Sequence, residues 1–319
     1  MTPETDKLSR IETAALTDGN IRATVLNYGA VTQGIWYKDV PLILGFDDPS
    51  AYLTDTNYLG AIVGRVANRI GGARFDVGSS SFELDANEGC NTLHGGKDGL
   101  SQQFWDLERV APNEAVLSYV SPEGESGFPG EVKFEVRVCL KFPRFIYSIF
   151  ARPDRPTPIS VAQHNYYTLG SSEGIGSHKL KLASNRYLEI DNQGIPTGRV
   201  QAVQESQLDF TEPKEIRNVP DGVDHYYCFG NDHNSPVSVA ELTAPSGLSL
   251  NFYSDQPGAQ VYSAAKLTKP FFSLAGLCIE PSGYPNATNV SSFPSIIYTP
   301  ENPYRQVLTL AISEGQHGS

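Results

Sequence analysis

No stretch of the sequence approaches the ~18 consecutive apolar residues that a membrane-crossing helix needs, and none sustains the helical stripe of a packed bundle. Membrane spans and helical bundles are set aside on that ground. Methionine occurs once, tryptophan twice and cysteine four times in 319 residues. The cysteines, at positions 90, 139, 228 and 278, are far apart and form no Cys-x-x-Cys pair. That spacing argues against a zinc site and a dense disulfide framework, and makes reduced thiols in a cytoplasmic protein the expectation. The opening residues, Met1 to Lys7, contain no basic segment followed by an apolar one, so no secretory leader is expected. Asn286-Ala-Thr288 and Asn289-Val-Ser291 match the glycosylation acceptor pattern, and without a secretory route the match reads as chance.

Positive charge is also scarce: 24 Lys and Arg stand against 36 Asp and Glu, a formal net charge of -12. Such a chain repels nucleic acid phosphates and anionic membrane surfaces, so neither is expected as a partner. A neutral or cationic small molecule fits better. Missing too are a Walker loop, a dinucleotide fingerprint and a Gly-x-Ser-x-Gly elbow, and Gly124-Glu-Ser-Gly127 falls one residue short of the last. Phosphoryl, hydride and serine-acyl transfer lose support accordingly.

What the chain does have is period-two alternation. Over residues 132–142 every even position is apolar, Val132, Phe134, Val136, Val138, Leu140 and Phe142, which is the pattern of a strand with one buried face. Alternating or β-branched stretches recur at 21–28, 145–150, 180–190, 248–253 and 306–312. Turn signals such as Asp18-Gly19, Pro129-Gly130 and Asn192-Gln-Gly194 separate them. Many strands without intervening helices predict an all-β fold of large antiparallel sheets, packed face to face or curved into a barrel. No repeat, low-complexity tract or linker marks a boundary, so residues 1–319 are expected to form a single domain.

Three histidines sit in notable contexts: Leu93-His94-Gly-Gly96, Gln163-His164-Asn-Tyr166 and Asp224-His225-Tyr-Tyr227. Singly, each is as compatible with a structural hydrogen bond as with catalysis. None has the i, i+4 spacing of the recognisable zinc motifs, and no metal is expected. Glu280 ends the apolar run 273–280. Burial there would raise its pKa towards neutrality, as a general base requires, whereas a position at the strand's end would leave it in water.

In chain order these contexts resemble the aldose 1-epimerase (galactose mutarotase) family. The resemblance is carried by Asn27-Tyr-Gly29, Leu44-Gly-Phe-Asp47 with Tyr52, Gly64-Arg-Val-Ala-Asn-Arg-Ile70, Asn91-Thr-Leu-His-Gly-Gly96 with Trp105, and Gly124-Glu-Ser-Gly-Phe-Pro-Gly130. It continues through His164-Asn-Tyr-Tyr-Thr-Leu169, Ile195-Pro-Thr-Gly198, Gly222-Val-Asp-His225, Pro257-Gly-Ala-Gln-Val-Tyr262 and the Glu280 segment. Each motif is short; their order and spacing over nearly the whole chain make the signal specific.

The resemblance implies a large antiparallel β-sandwich whose open cleft takes a monosaccharide without a cofactor. It implies Glu280 as catalytic base, His164 as catalytic acid, and Asn68, Arg69, His94 and Asp224 as sugar-binding residues. The carboxyl is expected ionised and the imidazole at least partly protonated at working pH, giving a bell-shaped rate profile. Departures cluster after the base: Glu280-Pro281-Ser282 stands where the family commonly has Glu-Thr-Gln, Pro285-Asn286-Ala287 where it has Pro-Asp-Ala, and Pro300-Glu-Asn302 where it has Pro-Gly-Glu. A lost glutamine at Ser282 is expected to enlarge the pocket or alter which hydroxyl is read. Two other readings are a hydrolase or isomerase using Glu280 and Asp224 as a carboxylate pair, and a non-catalytic sugar-binding protein on the same fold.

Overall fold

The computed structural model describes residues 7–230 and 235–315. Residues 1–6, most of the opening stretch considered above for a leader, lie outside the described residues. Strands dominate, and every ladder between them is antiparallel. The largest sheet has nine strands in the order Asp106–Ala111, Glu114–Ser121, Val132–Lys141, Arg144–Pro153, Tyr304–Glu314, Leu248–Ser254, Val237–Thr243, Lys179–Leu182 and Lys214–Glu215. A five-stranded sheet runs Pro196–Ala202, Arg186–Ile190, Asp224–Cys228, Gly258–Tyr262, Cys278–Ser282. A four-stranded sheet is formed by Thr13–Asp18, Ile21–Leu26, Thr32–Tyr37 and Val40–Pro41.

The three sheets bury their apolar faces together. Leu16, Ile21 and Val25 from the four-stranded sheet, Val136, Phe252 and Leu310 from the nine-stranded one, and Tyr227, Val261 and Ile279 from the five-stranded one belong to one contiguous cluster. Each such side chain contributes roughly 1.5–3 kcal/mol by leaving water. The result is a β-sandwich, one of the two arrangements the alternation left open and the one the resemblance implied.

The strand at 132–142 holds its inward set from Val132 to Leu140, while Lys133, Glu135 and Arg137 face water. Phe142 departs from the pattern and is exposed. The strand ends at Lys141, which pairs with Arg144 across a two-residue turn, and the pleat that alternates side chains stops there. Stretch 180–190 is two strands rather than one. Lys179–Leu182 joins the nine-stranded sheet and Arg186–Ile190 the five-stranded one. Between them the Ser184 hydroxyl donates to the carbonyl of Cys228 and accepts from the amide of Arg186, a side-chain turn that passes the chain between sheets.

Several motifs behind the resemblance are scaffold. Arg65 is fully buried, and its guanidinium donates to the Ser121 hydroxyl and to the carbonyls of Ser121, Pro122 and Pro129. Those bonds compensate the buried charge and pin the segment that carries Asn68 and Arg69. Asn286 and Asn289, of the acceptor-pattern pair, are used similarly: Asn286 accepts from the amide of Gly71, and Asn289 donates to the carbonyls of Gly71 and Arg74. All four cysteines are free thiols.

Candidate active site

Strand alternation sets the floor of the site. In the five-stranded sheet Tyr227, Val261 and Ile279 point into the core, so their neighbours Asp224, Gln260 and Glu280 share the opposite face. Gln260 stands across from Glu280 in register and donates its amide to Asp224 at 2.7 Å. This face is roofed by loops instead of water, and Glu280 is only 3% exposed. The alternative that carried Glu280 to solvent is thereby removed.

The roof brings in the histidines. His164 follows the short strand Ala162–Gln163, which pairs with Ile62–Val63, and is buried with its Nε2 3.7 Å from Glu280 Oε1. On the far side of its ring, the thiol of Cys278 lies 3.7 Å from Nδ1. Cys278 and Glu280 are two residues apart on one strand and so grip the imidazole from the same face. His94 packs edge-on against His164 with ring centroids 5.3 Å apart, and Tyr58 and Tyr166 flank the pair.

His94 and Asn68 close a small antiparallel ladder, Arg69 against Leu93, and both have positive φ, +50° and +61°. Left-handed backbone is uncommon outside glycine and costs energy, which is characteristic of sites where side-chain aim matters. Two bonds hold the bend: the amide of His94 donates to the carbonyl of Asn68, and the amide of Asn68 donates to His94 Nδ1 at 3.2 Å. The second bond fixes the tautomer. With Nδ1 accepting, the ring proton sits on Nε2. Arg69 is clamped by Glu88 through a bidentate pair of 2.5 and 2.7 Å.

Together these residues line a cavity of about 210 Å³ whose walls carry Asn68, Arg69, His94, His164, Asp224 and Glu280. All six residues expected from the sequence therefore meet in one place. His225 does not join them: it lies on the other face of its strand and packs edge-on against Tyr187. Tyr166, of the aromatic run after His164 that the sequence offered as a wall of a sugar site, lines the cavity, as do Gln260, Glu88, Tyr58 and Tyr262, which were not anticipated. Gln260 and Tyr262 both belong to the motif at 257–262, Gln260 as the polar residue between Ala259 and Val261, whereas Glu88 and Tyr58 left no signal.

Electrostatics reverse the expected resting charges. Burial, reinforced by the negative charge of Asp224, pushes the Glu280 carboxyl up to about 8. Burial pulls His164 down to about 4, and His94 also falls well below the ordinary histidine value through burial and the neighbouring His164 and Arg69. At neutral pH the unliganded pair is a carboxylic acid facing a neutral imidazole, because desolvation disfavours either charge alone.

His94, His164 and Glu280 offer ligand-type atoms within 4.8 Å of one another, a spacing a metal ion could use. The protonation pattern opposes it. A metal would have to displace the Nε2 proton of His94, which the Asn68 amide fixes, and the proton of Glu280.

Ser282 does not do what its position after the base suggested. It is buried, lines no part of the cavity, and its carbonyl accepts the Tyr226 hydroxyl at 2.6 Å. Pro281 sits on the edge strand of its sheet, and its carbonyl accepts from Gln306 on the side away from the neighbouring strand. The missing N–H points the same way and costs the ladder nothing.

A closed stack of antiparallel sheets with a polar cleft on the outer face of the smaller one defines the class of galactose mutarotase-like sandwiches. The sequence profile of the aldose 1-epimerase family matches residues 12–311. Human galactose mutarotase is 31% identical, with 92% of each chain covered, and the aldose 1-epimerase of Escherichia coli K12 is 28% identical over 79% of this chain and 78% of its own. The crystal structure of a GalM/aldose epimerase homologue from C. elegans superimposes with a TM-score of 0.90 at 25% identity, covering 95% of this chain and 99% of that one. The chain belongs to the aldose 1-epimerase family, whose members are isomerases acting on carbohydrates.

Proposed function

We propose that the protein interconverts the α and β anomers of a free aldose such as glucose or galactose, with Glu280 and His164 as its acid–base pair. The observation that carries this reading is the buried carboxyl and imidazole, 3.7 Å apart, at the floor of a cavity otherwise lined by hydrogen-bonding groups.

Ring opening needs one proton removed from the C1 hydroxyl and one delivered to the ring oxygen. The pair holds one proton between its two members, which is the right number. When that proton moves to His164, Glu280 takes the hydroxyl proton as the C1–ring oxygen bond breaks, and His164 protonates the departing ring oxygen. The open aldehyde turns about C1–C2 and recloses with the proton roles exchanged. The Nε2–H of His94 donates towards the ring oxygen, while Asn68, Arg69 and Asp224 hold the remaining hydroxyls. Cys278 is a positioning residue: its sulfur lies 3.7 Å from Nδ1 of His164, and with the Nδ1–H directed at it, Nε2, the atom facing Glu280, is left free to take up and return the proton.

The chain acts in this reading as one domain, needs no cofactor, and works in the cytoplasm, where its four free thiols persist. No helix among the described residues is long and apolar enough to cross a membrane. The hydrolase and non-catalytic readings are not favoured, since the relatives found are galactose mutarotases and aldose 1-epimerases.

Polarimetry on freshly dissolved α-D-glucose and α-D-galactose, over about pH 5–9, tests the proposal. Faster decay to the same final rotation is the expected result; unchanged decay for both sugars, and for aldopentoses, refutes it.

A further inference from the structure

Arg69 is held more firmly than the binding of a sugar hydroxyl requires. Its Nε and Nη2 donate to the two oxygens of Glu88, at 2.5 and 2.7 Å. Gly194 lies against the same group, where a Cβ would come within 3.1 Å of Nη1 and 3.2 Å of the central carbon. Nη1 has no acceptor among the described residues, so its N–H groups are what Arg69 has left for a substrate.

The backbone puts Glu88 in this place. Leu93 pairs with Arg69 in the small ladder, and Asn87 grips Leu93 from the side: its Oδ1 accepts from the Leu93 amide at 2.7 Å, and its Nδ2 donates to the Leu93 carbonyl at 3.0 Å. Glu88 and Asn91 exchange backbone hydrogen bonds around a two-residue turn in which Gly89 takes φ +61°. The carboxylate therefore arrives on Arg69 from a segment tied to the partner strand of Arg69 itself.

The consequence is a matter of charge. The cations lining the cavity are Arg69 and Lys266, and the acids are Glu88, Asp224 and Glu280. Glu280 rests protonated, and Lys266 is exposed, so water and salt screen its charge. Arg69 is mostly buried, with its side chain 19% exposed, and Glu88 cancels its charge at contact distance. A cavity of about 210 Å³ holds a single sugar ring. Any anionic substituent on that ring would stand within a Debye length, ~8 Å, of both Glu88 and Asp224. It would meet two like charges and a guanidinium whose attraction is already spent on Glu88.

We infer that Glu88 is a specificity-determining residue: by pairing with Arg69 it reserves the cleft for uncharged aldoses and turns away those that carry a carboxylate or a phosphate. The hydroxyls of a neutral sugar still find the Nη1 donors, held in one orientation. This inference rests on the proposed anomerase reading and assigns within it a residue that selects by repulsion.

The test compares galactose and glucose with galacturonate and glucose 6-phosphate by polarimetry, in the native protein, in Glu88→Gln and in Glu88→Asn. The Glu88 side chain is 36% exposed, so neither amide is forced into the interior, and the second variant serves if the first does not fold. In the native protein kcat/KM for the anionic sugars is expected to be at least about thirtyfold below that for the neutral ones. Removing the charge should raise the anionic-to-neutral ratio about tenfold or more, even though neutral sugars lose some turnover as Arg69 loosens. A merely structural Glu88 lowers both classes alike, and an unchanged ratio overturns the inference. Native turnover of an anionic sugar equal to that of its neutral counterpart overturns it too, and leaves the anomerase reading intact. If no aldose turns over, the anomerase reading fails, and calorimetry with galactose and galacturonate decides Glu88 alone. A binding ratio that the variants leave unchanged, or no binding of either sugar, removes its role.

Discussion

The strand Val132–Lys141 and the strand Cys278–Ser282 have the same backbone conformation and opposite chemistry. The first alternates from Val132 to Val138, with apolar side chains inward and Lys133, Glu135 and Arg137 outward, and breaks the pattern only at buried Cys139. In the second all five residues are buried, and one of them is a carboxylic acid. The difference lies in what covers the outer face. Water covers it in the hairpin, so a charge there costs little. Loops bearing His94, His164 and Tyr166 cover it in the five-stranded sheet, so Glu280 loses its hydration and keeps its proton. The scaffold gains stability by obeying the period-two rule, and the site gains reactivity where a roof overrides it.

Changing Glu280 breaks that comparison most sharply. Glu280→Gln keeps shape and burial and removes the titrating group, so turnover should fall by roughly 10³-fold or more while sugar binding persists. Polarimetry paired with calorimetry separates the two, and near-native turnover would take the base role from Glu280. The hairpin side has the converse expectation. Leu310, 1% exposed and paired in register with Phe145 and Phe252, anchors the nine-stranded sheet. Leu310→Ala should cost roughly 2–5 kcal/mol in denaturant unfolding, with kcat per folded molecule little changed. A large kcat loss at retained stability would show that core and cleft are not separable.

The two regions also differ in how legible they were. Strand 132–142 announces itself because each side chain's environment follows from its own position in the alternation. Stretch 180–190 does not announce its split, because which sheet a strand joins is decided by partners far along the chain. Glu280 was ambiguous for the same reason: its burial depends on loops some 100–200 residues earlier, which no local window contains. The six site residues came from ordered motifs, whereas Glu88 and Tyr58 entered only through three-dimensional proximity. Ser282 misled because position after the base suggested a wall of the pocket, yet it is buried outside the cavity and its carbonyl accepts the Tyr226 hydroxyl.

Stability should record the cost of the roofed carboxyl. The native pKa of Glu280, about 8, lies above its unfolded value of 4.5. The native state therefore holds a proton that the unfolded state releases, and stability declines as pH rises from 4.5 through 8. Glu280→Gln abolishes this decline. The variant should be more stable than the native protein by roughly 4 kcal/mol at about pH 8, with little difference at about pH 4.5. Thermal melts at the two pH values read the contrast directly. A constant offset would trace the gain to packing instead of titration. Turnover should meanwhile be bell-shaped, with limbs governed by the dyad near 4 and near 8. Because the active form holds one proton on either member, the same bell arises whichever group rests protonated.

The finest contrast concerns Cys278, buried like its neighbours yet directed at the His164 ring. Burial raises its thiol well above the ordinary value, so it stays a neutral S–H whose sulfur can accept the Nδ1–H of His164. Cys278→Ala withdraws that acceptor and lets the imidazole place its proton on either nitrogen. About half of the molecules, or more, would then present the wrong tautomer to the sugar, and kcat should fall by roughly threefold to tenfold with KM unchanged. A purely structural cysteine would move stability and leave the pH limbs where they were. A tautomer-holding one moves the acid limb, and Cys278→Ser, which keeps an acceptor there, recovers part of the loss. Nitrogen NMR of His164 distinguishes the two directly: Nδ1–H in the native protein and a mixture in the alanine variant support the role, and an unchanged ring spectrum removes it.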